Sequence, residues 1–332
     1  MMEKKKIKVK LSFNMALFFI WVVIFAAISI KSPSFLKAPY IINVMLRNIV
    51  EIGMVALPMT LIIITGGIDL SVGNIMILAA MLGGMTAATL GPAAGVIVTL
   101  VTGLVCGLIN GLIIAKAKIS AMVTTLATMY LFLGLARGLS HGNSVYAYDF
   151  VTFIGNTSIA GLPIQIWIYL VLAVIFVVLL GMTTFGRKLY SIGLNENATK
   201  YAGVKTERIQ IIIYVLCGLV CALAALIWLG RFTSVKYDAG TSFNLKVITV
   251  VVLGGTSING GIGDMKGTIL GTLIIATLNS GLTVLNIPID VQTIVQGVVL
   301  MIALIAYAVV NTRGKRKKIL AVEAKPAMEQ AK

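Results

Sequence analysis

The 332-residue chain is too apolar to be a soluble globular protein, because 59% of its residues are hydrophobic and only 11% are charged, about half the charged fraction of typical soluble domains. Its net charge of +16 would suggest nucleic-acid binding in a soluble protein, but runs of about 20 apolar residues, each long enough to cross a bilayer as a helix, recur along the chain. Cys106, Cys217 and Cys221 lie inside apolar runs and His141 is the one histidine, so neither a disulfide framework nor a metal site is indicated.

We predict an all-α polytopic membrane protein with about ten membrane-spanning helices. The predicted spans are 14–30, 48–66, 72–90, 93–115, 119–139, 163–182, 210–230, 244–258, 264–286 and 290–311. The span at 244–258 is the weakest because its apolar run is short and ends at Gly254 and Gly255, a pattern that also fits a re-entrant or broken helix. No A-x-A cleavage site follows the first span, so we expect an uncleaved first helix rather than a secretory signal.

Basic residues concentrate in the segments that successive crossings place on one side of the membrane. These segments are the N-terminal tail, the turns near 67–71, 116–118 and 259–263, the loop 183–209 and the C-terminal tail. The basic residues outside them are Lys31, Lys37, Arg47, Arg137, Arg231, Lys236 and Lys246. Because basic loops stay in the cytoplasm, we expect cytoplasmic termini, a single transmembrane domain at 1–312 and a basic, flexible tail at 313–332.

A glycine-rich segment separates the second and third spans. Residues 65–73 read TGGIDLSVG and leave almost no polar loop between two apolar runs. Glycine lets backbones approach closely and leaves amide groups free. Asp69 and Ser71 either cap the helix that begins near Val72 or face a solvated solute path, and the sequence leaves both interpretations open.

Residues 252–264, VLGGTSINGGIGD, echo the first segment. Gly66 and Gly254 each follow an apolar run that enters from the same side, which predicts a weak parallel repeat of two helix groups. Corresponding glycine-interrupted segments point toward a translocation path. Two independent helix-ending turns remain the alternative.

The loop 183–209 predicts a short amphipathic helix on the cytoplasmic side. Asn195 is a suitable N-cap and Gly203 a suitable stop. The apolar residues that share one face of this helix are Leu194, Ala198, Tyr201 and Ala202. The helix either docks on a protein partner or lies on the lipid surface. The basic residues form no continuous lipid-facing stripe, which favours a protein partner.

The predicted outer loop, 140–162, is less informative. It carries Asn143, Tyr146, Tyr148, Asp149 and Asn156. These residues fit a docking surface or a solvated lid, but anchoring of the aromatic rings at the membrane interface is the favoured interpretation.

Three segments in this order resemble the permease subunits of bacterial ABC importers for monosaccharides, the ribose-type permease family. They are GGIDLSVG at 66–73, GLNENATKYAGV at 193–204 and VVLGGTSINGGIGDMKGT at 251–268. The runs VALPMT at 55–60 and LINGLII at 108–114 look closer to the permeases for autoinducer-2 and rhamnose. Asn195-Glu196-Asn197 departs from the Gly-Asn-Asn or Gly-Asn-Glu of many relatives, which leaves the identity of the ATPase partner open.

The resemblance implies a type II-like importer in the bacterial inner membrane. Its parts would be a homo- or heterodimer of permeases, two cytoplasmic ATPase subunits or a fused tandem ATPase, and an extracytoplasmic sugar-binding protein. The residues expected to couple to the ATPase are Gly193, Leu194, Asn195, Glu196, Ala198, Thr199, Tyr201, Ala202 and Gly203. The candidate residues of the translocation path are Gly66, Gly67, Asp69, Ser71, Gly73, Asn110, Gly254 and Gly255.

The expected function is therefore import of a monosaccharide or similar polyhydroxylated solute, driven by separate ATPase subunits. The chain has no G-x-x-x-x-G-K-[ST] phosphate loop and no H-E-x-x-H motif, so we expect a transport subunit rather than an enzyme, without a cofactor or a metal. An ion-gradient-driven secondary transporter is the alternative and needs intramembrane ionisable groups. Asp69 is its clearest candidate, while Glu51 is expected to pair with Arg47 one turn away.

Overall fold

Helices form nearly all the regular structure of residues 13–302, the part of the chain that the computed structural model describes. They are α1 Phe13–Lys31, α2 Ala38–Ile64, α3 Val72–Leu90, α4 Pro92–Lys116, α5 Ala121–Leu139, α6 Asp149–Asn156, α7 Ile164–Met182, α8 Thr184–Leu194, α9 Glu196–Tyr201, α10 Thr206–Phe232, α11 Phe243–Leu253, α12 Met265–Val284 and α13 Ile289–Ile302. Two short antiparallel pairs accompany them, β1 Val145–Tyr146 with β4 Ser234–Val235 and β2 Ser158–Ile159 with β3 Leu162–Pro163.

The prediction of an all-α polytopic membrane protein is confirmed. Eight of the described helices are long and apolar enough to cross a membrane, and α11 and α13 are shorter apolar helices. The predicted span at 244–258 is too long, because α11 ends at Leu253. The second span begins earlier than predicted, at Ala38, and contains a π-helical stretch at Ile41–Met45. The N-terminal lysines, residues 303–312 of the last span and the tail at 313–332 lie outside the described residues.

Small residues let the central helices pack with their backbones in contact. A Cβ on Gly103 of α4 would lie 2.3 Å from the carbonyl oxygen of Gly218 in α10, and one on Gly107 would lie 2.3 Å from that of Tyr214. Membrane helices lack a strong hydrophobic drive to associate, so such close approach is a main source of packing energy. α4 and α10 therefore pack with their backbones in direct contact.

Burial separates the central helices from the peripheral ones. In the most apolar window of α2, 83% of the residues are buried, compared with 6% in α1. α1 packs along α12, where Trp21 Nε1 donates a hydrogen bond to Thr277 Oγ1 at 3.0 Å. The outer side of α1 is therefore free to face lipid, while α2 lies inside the protein.

The segments predicted to share one side of the membrane meet at one end of the bundle, which we call the coupling-loop end. Three contacts show this, namely Asn14 Nδ2 to Asp264 Oδ2 at 2.6 Å, Gly261 N to Ile64 O at 2.8 Å and Lys118 Nζ to Glu196 Oε1 at 3.6 Å. α1 begins here, and the loop 183–209 lies here as well. The arrangement agrees with the alternation of crossings inferred from the basic residues, while the orientation in the membrane stays a prediction.

At the opposite end, the expected pairing of Glu51 with Arg47 is wrong. Arg231 of α10 donates from Nη1 to both carboxylate oxygens of Glu51 at 3.0 Å and also to the carbonyl oxygen of Arg47 at 3.0 Å. α10 packs against α2, so the guanidinium of Arg231 reaches the buried carboxylate. The long-range partner replaces the neighbour one turn away.

Candidate functional site

The first break, residues 65–71, begins where α2 ends in a left-handed glycine turn. Gly66 has φ +85°, which glycine adopts without the strain that a Cβ would introduce. The amide of Gly66 donates to Ile63 O at 2.9 Å and that of Gly67 to Ile62 O at 3.1 Å. These are the two hydrogen bonds of a Schellman motif. The predicted role of the glycine pair as an interruption of the helix is thus confirmed.

The second break, residues 254–264, ends α11 in the same way. Gly255 has φ +88°, its amide donates to Val252 O at 2.9 Å, and the amide of Thr256 donates to Val251 O at 3.3 Å. By this hydrogen-bond pattern Gly66 corresponds to Gly255. The sequence pattern had matched Gly66 with Gly254, one position earlier. The two turns are locally equivalent, and a wider repeat stays a prediction.

A buried polar cluster follows the first break. Asp69 is 1% exposed, and its Oδ1 accepts hydrogen bonds from the amide of Ser71 at 2.8 Å and from its hydroxyl at 2.6 Å. Asn110 of α4 donates from Nδ2 to Ser71 Oγ at 2.8 Å. Three of the candidate path residues therefore form one hydrogen-bonded chain that joins the first break to α4.

The capping interpretation of Asp69 does not match this geometry. Ser71 is the N-cap residue of α3 and its side chain makes no capping hydrogen bond, while the carboxylate of Asp69 bonds to Ser71 itself. Among the described residues, Asp69 Oδ2, Asn110 Oδ1 and the hydroxyl of Tyr214 are buried without a hydrogen-bond partner. Buried polar atoms are normally paired, so these three atoms are exceptions to that rule.

Two further side chains hold the first break in place. Thr125 Oγ1 of α5 accepts from the amide of Leu70 at 3.1 Å, and its one hydroxyl proton lies within reach of Ala121 O at 2.8 Å and Ile68 O at 3.1 Å. Asn244 of α11 donates to the carbonyl oxygen of Leu70 at 2.9 Å. Sequence reasoning missed both residues, because a Thr or Asn inside an apolar run does not indicate which backbone group it will contact. Their bonds supply partners for backbone groups that the interruption leaves without helical ones.

A cavity of about 280 Å³ opens beside the first break at the coupling-loop end. It is lined by 65–67, 118–121, Ile114, Glu196, Gln210 and Tyr214. Of the candidate path residues, only Gly66 and Gly67 line it. Tyr214 connects it to the interior, since a Cβ on Gly67 would lie 2.8 Å from the Tyr214 hydroxyl. Tyr214 is a residue that sequence reasoning missed, because an aromatic residue in an apolar run carries no polar signal.

The remaining candidate path residues lie elsewhere. Gly73 packs against α11 and the turn before it, where its Cβ would meet Gly240 O at 2.5 Å. Gly254 packs on α12, where an added Cβ would lie 2.6 Å from Gly267 O. A Cβ added to Gly255 would lie 2.3 Å from a ring carbon of Phe13. The structure thus gathers Asp69, Ser71 and Asn110 with Gly66 and Gly67, and gives the other three glycines packing positions.

The short helix predicted in the loop 183–209 is confirmed as α9. Asn195 Oδ1 accepts from the amide of Ala198 at 2.9 Å, and Gly203 ends the segment with φ +85°. The predicted apolar face runs from Leu194, the last residue of α8, along α9 to Ala202, and it points outward. Leu194 is 73% and Tyr201 92% exposed, and Ala198 and Ala202 are exposed as well. Thr199 is buried on the opposite side. A large exposed apolar face is a marker of an interaction surface.

Ion pairs connect α9 to neighbouring segments. Lys118, in the turn between α4 and α5, lies 3.6 Å from both Glu196 and Glu207, and Lys200 lies 3.5 Å from Glu207. All four side chains are substantially exposed, and exposed pairs add little to stability. They bias the orientation of α9 over the cavity mouth rather than hold the fold.

The predicted outer loop forms a small folded cover at the opposite end. β1 pairs with β4, and α6 packs against α10. Tyr146 is 72% exposed, whereas burial raises the pKa of the Tyr148 hydroxyl. The favoured interpretation, aromatic anchoring at the interface, therefore suits Tyr146 better than Tyr148.

Comparison with known proteins gives consistent matches across most of the chain. Residues 40–304 match the family described as "Branched-chain amino acid transport system / permease component". The chain is 42% identical to the ribose import permease protein RbsC of Bacillus subtilis (strain 168) over 84% of this chain and 87% of the relative, and 35% identical to RbsC of Escherichia coli (strain K12) over 85% and 90%. It is 33% identical to the autoinducer 2 import system permease protein LsrD of Photorhabdus temperata over 81% and 84%. No solved structure matches the chain.

Proposed function

We propose that this chain, which belongs to the family of permease components of branched-chain amino acid transport systems, is the transmembrane permease subunit of an ATP-driven, binding-protein-dependent importer. Its solute would be a monosaccharide or a similar small polyhydroxylated molecule. The names of its relatives, ribose, autoinducer 2 and L-arabinose permeases, support this class of solute. The proposed site of action is the bacterial inner membrane, with both termini in the cytoplasm.

The exposed apolar face of α9 is the observation that carries the proposal. Leu194 is 73% and Tyr201 92% exposed, although both side chains are large and apolar. They lie at the end of the bundle that the basic residues assign to the cytoplasm. The chain lacks a phosphate loop of its own, so ATP would be hydrolysed by separate subunits. We expect two such subunits or a fused tandem ATPase, a second permease and an extracytoplasmic sugar-binding protein as partners.

In this proposal the permease works by alternating access. ATP binding would move α9, and the bundle would open and close around a path that includes the cluster of Asp69, Ser71 and Asn110. Hydroxyl groups of the solute both donate and accept hydrogen bonds, so they match the free Oδ2 of Asp69 and Oδ1 of Asn110. The external protein would supply most of the affinity, which leaves the path free to hold the solute weakly.

Co-purification tests the proposal most directly. The tagged full-length chain would be extracted in several mild detergents from its native membranes, and the proteins that accompany it identified by mass spectrometry. We expect a stoichiometric ATPase subunit that is lost when Leu194, Ala198 and Tyr201 are replaced by Asp. Tyr146→Asp is the control for the Tyr201 substitution, because it places one negative charge on an exposed tyrosine at the opposite end. If no ATPase accompanies the chain in any detergent, the proposal is wrong and gradient-driven transport becomes the leading hypothesis.

A further inference from the structure

The last turn of α8 is inserted between the two breaks, and we propose that it transmits the movement of α9 to both of them through a contact that only glycine at position 193 permits. The inference rests on the proposed function, since it assumes an ATPase that moves α9. It assigns Gly193 an inward role as a positioning residue, in addition to the docking role expected for the loop around it.

Gly193 lies against the end of α2, directly before the first break, and against the second break. A Cβ at this position would lie 1.9 Å from the carbonyl oxygen of Ile64, at the end of α2, and 2.4 Å from the amide nitrogen of Gly261 in the second break. Real Cβ atoms do not approach other heavy atoms closer than 3.0 Å. Because both obstructing atoms belong to the main chain, no change of rotamer relieves the overlap, and the helix itself has to move.

The second break is also hydrogen-bonded to the end of α2 and lies close to the first break at this point. The amide of Gly261 donates to Ile64 O at 2.8 Å, and a Cβ on Gly260 would lie 3.1 Å from the amide nitrogen of Gly66 and 3.0 Å from Gly193 O. Main-chain atoms of α8, the first break and the second break therefore form a single junction. A shift of α8 cannot leave either break unchanged.

Tyr190 adds a second contact one helical turn earlier. Its hydroxyl donates to the carbonyl oxygen of Gly263 at 2.8 Å. Burial, and the nearby carboxylate of Asp264, raise the pKa of this phenol above its ordinary value. It therefore remains a neutral donor at physiological pH, and α8 is attached to the second break by two contacts on the same face.

The link from this junction to the exposed face is short and stiff. α8 ends at Leu194 and α9 begins at Glu196, so only Asn195 separates them, and that residue is fixed as the N-cap of α9. The apolar face would meet the ATPase on one side, while Gly193 meets the breaks on the other. A displacement of α9 thus reaches the breaks without a flexible linker to absorb it.

A cysteine reporter in the second break can test this in the assembled complex. Asn259 is exposed, whereas the native Cys106, Cys217 and Cys221 are buried, so Asn259→Cys gives a specific maleimide site. The full chain with its co-purified ATPase would be placed in proteoliposomes, and the labelling rate measured without nucleotide and with ATP plus vanadate. We expect the labelling rate with ATP plus vanadate to differ reproducibly from the rate without nucleotide.

Gly193→Ala in this background should abolish the nucleotide-dependent change, and co-purification of the ATPase and its hydrolysis rate are measured on the same variant. Tyr190→Phe, which removes one hydrogen bond without adding atoms, should reduce the change and decides the matter if Gly193→Ala does not fold. Gly181→Ala is the matched control, because a Cβ there meets nothing within 4 Å, and it should leave the response intact.

The possible failures separate the inference from the function it rests on. A full response in Gly193→Ala, or in Tyr190→Phe when the first variant does not fold, overturns the inference, as does a parent complex whose labelling ignores nucleotide. Loss of the ATPase from Gly193→Ala would show that Gly193 acts at the docking surface and also overturns it. Absence of an ATPase from the parent chain would instead refute the proposed function.

Discussion

Removal of the Arg231 side chain should destabilise the protein through the charge it leaves behind. Glu51 is 2% exposed, and both of its carboxylate oxygens accept from Arg231 Nη1 at 3.0 Å. Breaking a buried ion pair from one side typically costs about 3–5 kcal/mol of folding free energy. Arg47 lies close enough to the carboxylate to take over part of the compensation, so for Arg231→Met we expect a loss near the lower end, about 3 kcal/mol.

The double variant separates the charge from the packing. Glu51→Met together with Arg231→Met removes both ions, and apolar replacement of a buried pair is often close to neutral. Two acceptors still lose their donor, the Arg47 carbonyl oxygen and Asn48 Oδ1, and each lost bond of this kind costs about 1 kcal/mol. We therefore expect a net loss of about 1–2 kcal/mol for the double variant, less than for the single one.

Reversible unfolding by SDS in mixed micelles, followed by tryptophan fluorescence, measures these differences. The conservative variant Arg231→Lys keeps the charge but loses the planar fork, so it should fall between the parent and Arg231→Met. A double variant as unstable as Arg231→Met would refute the reasoning, because the cost would then come from lost packing. An Arg231→Met variant as stable as the parent would also refute the reasoning, because it would show that Glu51 carries no charge that depends on Arg231.

Three further predictions follow from the contacts that hold the breaks and the coupling helix. Thr125→Val should cost about 1 kcal/mol in the same unfolding assay, because it removes the hydrogen-bond acceptor of the partly buried amide of Leu70, while Thr125→Ser should cost much less. Gly107→Ala should cost about 1–3 kcal/mol, since a Cβ would lie 2.3 Å from Tyr214 O; a neutral result would mean that α4 and α10 can separate freely. Asn195→Ala should lower the stability of α9 by about 1 kcal/mol and weaken ATPase co-purification, whereas Asn195→Asp, which keeps an N-cap acceptor, should retain it.

The helices and their interruptions could be predicted from the sequence because the signals are local. An apolar run of sufficient length identifies a span, and a glycine pair after such a run identifies a left-handed end, as Gly66 and Gly255 show. The exposed helix α9 was equally local, since Asn195 and Gly203 mark its two ends within a few residues. Even here the register was uncertain, because Gly254 and Gly255 look alike until the hydrogen bonds select the one with positive φ.

Partner choice between helices could not be predicted, because it depends on which helices become neighbours. Glu51 had a plausible partner one turn away in Arg47, and nothing in the sequence indicates that α10 brings Arg231 to the same carboxylate. Asn110 and Ser71 were each candidate path residues, yet their hydrogen bond at 2.8 Å depends on the packing of α3 against α4. Tyr214 was missed for the same reason, since its hydroxyl matters only where it meets Gly67.

Asp69 shows why the two sequence interpretations of one residue need not compete. One interpretation made it a local structural group and the other a contact for the solute. In the structure, Oδ1 has the local structural role, because it accepts hydrogen bonds from the amide and hydroxyl of Ser71. Oδ2 is buried without a hydrogen-bond partner in the described part of the chain. The bonds to Oδ1 fix the plane of the carboxyl group, and so they also aim Oδ2. A residue anchored through one oxygen is therefore well suited to present the other to a guest, and the same hydrogen bonds that shape the first break would orient its polar site.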